Sequence, residues 1–110
     1  MRKELRIKKS SDFEKVIKMK HSVVNRSFVI YFKENEYEHM RVGISVSKKM
    51  GKAHVRNKIK RQVRMMVNHL FNEESSYDYV IIVRKGYIFQ SFEDNEKLLQ
   101  DLLNKIEKKG

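Results

Sequence analysis

The run Arg41-Val42-Gly43-Ile44-Ser45-Val46-Ser47, followed after five residues by the segment from Ala53 to Phe71, decides the fold. The first part alternates. Val42, Ile44 and Val46 fall on one side, and Arg41, Gly43, Ser45 and Ser47 on the other, which is the two-residue period of a half-buried strand. Clean alternation is the habit of antiparallel sheets, so an antiparallel strand is expected. Lys48-Lys49-Met50-Gly51-Lys52 reads as a connection with Gly51 at its turn. The second part has the helical period: Val55, Ile59, Val63, Met66, Val67 and Leu70 share one arc. The opposite arc holds His54, Asn57, Lys58, Lys60, Arg61 and Arg64, with Arg56 on the border. Such a helix is about 28 Å long.

Working outward, Ser11-Asp12-Phe13-Glu14 has the spacing of a capping box and predicts a helix over 11–20 with Phe13, Val16 and Ile17 on one face. Ser27 to Lys33 is aromatic and β-branched and reads as a strand, with a short extra strand near Val23-Val24. The acidic stretch Glu34 to His39 is expected to close a hairpin. Tyr79 to Val83 is continuously apolar, as suits a central strand covered on both faces. Gly86 marks a break, Ser91 is a cap, and Leu98, Leu99, Leu102, Leu103 and Ile106 form the buried side of a last helix that frays over 107–110. The order helix, strand, strand, helix, strand, helix predicts an α+β domain, a small sheet with helices packed on it.

The chain of 110 residues has room for one domain, residues 1–110, and no repeat or linker is visible. It has no Cys, which removes disulfides, thiolate metal sites and a cysteine nucleophile, and no Pro. No apolar run approaches bilayer length, and Met1-Arg2-Lys3-Glu4-Leu5-Arg6 lacks the apolar stretch of a secretory signal. A cytoplasmic protein without a membrane partner is expected. The net charge of +11 is unevenly spread. Residues 41–64 carry nine Lys and Arg, and no Asp or Glu occurs between Arg41 and Asn72. A solvated structural face would mix signs, so the pattern points to a polyanionic partner.

Two surfaces could meet it. Arg56, Lys60 and Arg64 recur at i, i+4, i+8, and each such like-charge pair costs an isolated helix about 0.2–0.5 kcal/mol. A phosphate partner would supply the missing negative charge. The second surface is the strand side with Arg41, Gly43, Ser45 and Ser47, joined by Tyr31 if the strands pair, and flanked by Phe13. Small residues beside aromatics suit single-stranded nucleic acid. They equally suit close approach of the first helix with Phe13 in the core, and the residues alone leave both readings open.

Catalytic groups are sparse. His21, His39, His54 and His69 are scattered; the last two, if on one helix, stand about 22 Å apart and cannot act on one phosphate. The acidic clusters Glu34/Glu36/Glu38 and Glu93/Asp94/Glu96 suit solvation and helix-dipole pairing. No spacing suggests a metal site or a phosphate-cradling glycine loop. A protein nuclease is therefore disfavoured, while a free-standing RNA- or DNA-binding module, ribosomal-protein-like, remains an alternative.

Arg56-Asn57-Lys58-Ile59-Lys60-Arg61, then Arg64, resembles the arginine–asparagine–arginine helix motif of the bacterial ribonuclease P protein subunit. Arg41 to Lys49 resembles that family's strand motif, and Asn25-Arg26 and Asp12-Phe13 match its N-terminal part. The resemblance implies an α–β sandwich, ribosomal protein S5 domain 2-like, with a left-handed crossover around the basic helix. It implies an accessory role in the endoribonuclease that removes the 5′ leader of precursor tRNA, with a catalytic RNA as partner and catalyst. Magnesium would be held mainly by that RNA, and no cofactor, metal or small-molecule substrate by the protein itself. Contact with the catalytic RNA would fall on Lys48, Lys49, Lys52, Arg56, Asn57, Lys58, Lys60, Arg61 and Arg64. Leader contact would fall on Phe13, Ile17, Asn25, Arg26, Tyr31, Arg41, Ser45 and Ser47, and no residue is expected to be catalytic. The sequence departs from the family at Lys58 for a second arginine, Ile17 for a common aromatic and Lys20 for a frequent glycine.

Overall fold

The computed structural model describes residues 2–109. Its main elements are α1 (Ser10–Lys18), β1 (Ser22–Val24), β2 (Phe28–Glu34), β3 (Arg41–Val46), α2 (Ala53–Leu70), β4 (Tyr77–Val83) and α3 (Phe92–Lys109). Short 3-10 turns at Lys3–Leu5, Lys48–Met50 and Lys85–Phe89 lie between or before them.

The four strands are ordered β1-β2-β4-β3. β4 pairs antiparallel with β2 and parallel with β3. This corrects two expectations. Residues 35–40 do not close a hairpin, because β4 stands between β2 and β3; the loop instead arches across the end of β4, tied by Asn35 N–H to the Ser76 carbonyl and Met40 N–H to the Glu73 carbonyl. Strand β3 is not antiparallel; its named-strand partner is β4, and α2 is the crossover between that parallel pair. The outer edge of β3 is closed by the N-terminal segment, where Ile7 N–H donates to the Val42 carbonyl.

The sheet separates two apolar layers. On one side, Phe28, Ile30, Phe32, Val42, Val46, Tyr79, Ile81 and Val83 meet Ile59, Val63, Met66 and Val67 of α2 and Leu99, Leu102, Leu103 and Ile106 of α3. On the other, Val80 meets Val16 of α1 and Ile7, with Phe13, Ile17, Tyr31 and Ile82 partly buried around them. The continuous apolar run of β4 is thus explained by cover on both faces, as its sequence predicts.

Helix α1 starts one residue before the expected cap. Lys9 occupies the N-cap without a side-chain bond, and the capping box does not form. The carboxylate of Asp12 instead reaches Arg41, 3.3 Å away. The cap of α3 behaves as expected, with Asp94 N–H donating to Ser91 Oγ. That helix continues to Lys109 rather than fraying from 107; Gly110 lies outside the described residues. Asn25 and Ser27 fasten the β1–β2 turn to α3: Asn25 Nδ2 donates to the Leu98 carbonyl, and the buried Ser27 hydroxyl donates to Asn95 Oδ1 at 2.6 Å.

Candidate nucleic-acid interface

Because Ile59, Val63, Met66 and Val67 turn α2 towards the core, its basic residues are carried to the surface. Asn57, Lys58 and Arg61 are exposed; Arg56, Lys60 and Arg64 are half-buried. Lys48 and Lys49, in the 3-10 turn before the helix, and Lys52, its N-cap, are exposed too. Gly51 takes φ 137°, a conformation open to glycine, and this bend brings the lysines to the helix start. No acidic residue sits in the first turn of α2. The positive pole of the helix and three lysines therefore add to one another, which makes the end an attractor of anions. Among the described residues, Arg41 is the one Lys or Arg between 41 and 64 with a carboxylate partner. Arg56 Nε is buried without a hydrogen-bond partner.

The second surface lies on the α1 side of the sheet. The register aligns Tyr31, Val80 and Gly43 in one row and Val29, Ile82 and Ser45 in the next, with Val24 extending the second row onto β1. Helix α1 crosses over the first row. Its N-terminal end is held at β3, where Phe13 rests on Gly43: a Cβ there would lie 2.2 Å from Phe13 Cε2. Val16 packs fully buried beside Val80. At 100° per residue, Asp12 lies on one flank of Val16 and Phe13 and Ile17 on the other. Phe13, Ile17 and Tyr31 thus wall a shallow groove whose floor is Ser45, Ile82, Val29 and Val24. Both sequence readings of the small residues hold in part: Gly43 admits α1, and Phe13 keeps a partly exposed edge.

The expected leader residues do not all face this groove freely. Arg41 is engaged, with Nη2 2.6 Å and Nε 2.9 Å from the two oxygens of Asp78, Nη1 3.3 Å from Asp12, and its guanidinium over Tyr37 at 4.6 Å. The hydrogen bonds to Asp78, outweighing burial, raise its pKa above the ordinary arginine value. Its charge is neutralised within the fold. Asn25 Oδ1 accepts from the Ser27 and Phe28 N–H groups, so its amide shapes a turn. Ser47 is exposed and its Oγ accepts from Lys49 N–H; Arg26 is exposed; Ser45 and Tyr31 are half-buried beside the groove. Sequence reasoning passed over Asp78, buried to 3% exposure, and the floor residues Val29, Ile82 and Val24. The apolar run of β4 held the clue, since a central strand must bring neighbours to both sides.

The family model for Ribonuclease P matches residues 1–107. The chain belongs to the ribonuclease P protein family. A ribonuclease P protein component of Streptococcus agalactiae is 44% identical over 103 residues, covering 94% of each chain, and that of Bacillus velezensis is 44% identical over 106 residues, covering 96% of this chain and 91% of the relative. The Staphylococcus aureus RNase P protein superposes with a TM-score of 0.81 at 39% identity, over 91% of this chain and 93% of that one. Ribonuclease P proteins are accessory subunits of an endoribonuclease holoenzyme of tRNA processing, and this chain is such a subunit. Its partner in the ribonucleoprotein is an RNA, and the unpaired cations of α2 have the charge that such a partner requires.

Proposed function

We propose that the chain docks on the catalytic RNA of ribonuclease P through α2 and the turn before it, and holds the 5′ leader of precursor tRNA in the groove beneath α1. The observation that carries the reading is the cationic face of α2, left without carboxylate partners among the described residues. Lys48, Lys49, Lys52, Arg56, Lys58, Lys60, Arg61 and Arg64 neutralise phosphates, and Asn57 adds an amide that can donate and accept. Phe13, Ile17 and Tyr31 present apolar faces to unstacked bases, Ser45 and Ser47 offer hydroxyls, and Arg26 offers a cation. Arg41 and Asn25 act through the fold, since their polar groups are taken up internally.

Bond breaking falls to the RNA with its magnesium. Among the described residues no group of three His, Asp or Glu comes together to hold a metal ion. The protein's part is to raise substrate affinity in a cytoplasmic ribonucleoprotein. Cleavage of precursor tRNA by the purified protein, by the RNA and by their mixture tests this. The mixture is expected to cleave better than the RNA at low magnesium, and the protein alone not at all; cleavage by the protein alone overturns the reading. Tyr31→Ala is expected to cost about 1–3 kcal/mol of affinity for substrate carrying a leader if a base stacks on it. An equal loss with leaderless tRNA contradicts the groove.

A further inference from the structure

The floor of the groove is a row of residues that crosses all four strands, from Ser45 on β3 through Ile82 and Val29 to Val24 on β1. Three inter-strand spacings make it about 14 Å long, enough for only a few nucleotides. At the β3 end it opens towards Ser47, Lys48 and α2. At the β1 end the floor does not stop at a wall. Val24 is 53% exposed, and β1 is the last strand of the sheet. Beyond it lies a cleft of about 430 Å³ lined by Ser22, Val23, Val24, Lys105 and Lys108. The two lysines, three residues apart on α3, share one flank of that helix. Both are exposed, and neither has a carboxylate partner among the described residues.

We infer that this cleft at the β1 edge is a second subsite for the single-stranded leader, where Lys105 and Lys108 take phosphates of nucleotides upstream of those in the groove. The inference rests on the groove reading above. Continuity argues for the same strand as occupant. A strand whose cleavage-proximal end lies near α2 and the catalytic RNA leaves the groove at its other end, over Val24, and has only to round the β1 edge, past Val23, to reach the lysines that α3 carries on the opposite face of the sheet. The chemistry also fits, with an apolar strip for sugar and base beside two point charges for the backbone. An acidic peptide could satisfy the charges but would have no reason to continue into the groove.

The test uses the reconstituted holoenzyme and precursor tRNAs whose leaders either end within the groove or extend several nucleotides beyond it. Wild-type protein is expected to bind the longer leader more tightly. The Lys105→Gln, Lys108→Gln double variant should lose that gain and bind the short-leader and leaderless substrates unchanged. With two phosphate contacts, each worth a salt slope of about 0.7, the variant's deficit on the long leader should shrink about sevenfold between 50 and 200 mM salt. An identical length gain in wild type and variant overturns the subsite. So does glutamate-rich peptide binding that disappears in the variant without any effect of leader length. Tyr31→Ala, run in parallel, separates the two readings. If it weakens short-leader binding while the lysine variant changes nothing, the groove stands and the subsite falls. If it acts equally on leaderless tRNA, the groove falls, and an unchanged length gain in the lysine variant then removes the subsite as well.

Discussion

Gly43 has almost no freedom to change. Its missing Cβ is the space in which the Phe13 ring lies, so Gly43→Ala must displace that ring or lift α1 from the sheet. The expected cost is about 1–3 kcal/mol, the usual range for overpacking, measured by denaturant unfolding, together with weaker binding of leader-bearing substrate. A variant with unchanged stability would mean that Phe13 can move aside freely. Tyr87 makes a second single-residue case. Burial pushes its phenol up to about 12, and its hydroxyl donates to Gln62 Oε1 at 2.7 Å. An unfolded chain releases that proton near pH 10 while the folded one keeps it. The stability owed to the neutral phenol is therefore complete below pH 10 and is lost as pH rises towards 12. Tyr87→Phe should flatten this alkaline decline in urea midpoints, and an equally steep decline would show that other groups govern it.

At the scale of elements, α2 carries opposite demands on its two sides, and each is testable. Arg61→Ala or Arg64→Ala should leave the buried side intact and reduce the salt slope of catalytic-RNA binding by roughly 0.7–0.9 for each phosphate left unneutralised. An unchanged slope would remove those positions from the interface. Helix α2 was legible because one amphipathic period runs through it without interruption, and the same holds for the leucine side of α3. The capping box of α1 misled because the helix begins at Ser10 with Lys9 at its N-cap, which puts Ser11 inside the helix instead of at its cap, and no local pattern announces that earlier start. The hairpin misled for another reason: the 35–40 loop has the length of a tight connection but serves to bridge the end of a strand that arrives much later in the chain. The walls of the groove were legible as residues. Its floor was not, since Val29, Ile82 and Val24 become neighbours only through the register of three strand pairs.

For the whole molecule the net charge of +11 sets a tension between folding and function. Crowded cations on α2 repel one another in the free protein, and salt screens that repulsion. The melting temperature of the free protein should therefore rise with added salt over the range in which its affinity for RNA falls. A melting temperature that drops with salt would imply that ion pairs such as Arg41–Asp78 outweigh the repulsion. The position of β4 has a further consequence for the growing chain. β2 and β3 are made first, yet they share no hydrogen-bonded ladder until the strand that separates them has been synthesised. On a ribosome, the basic helix is complete before the groove beneath α1 can close. A fragment ending at residue 72 should consequently show helix but little sheet by circular dichroism, and a nascent chain could greet RNA well before it could hold a substrate.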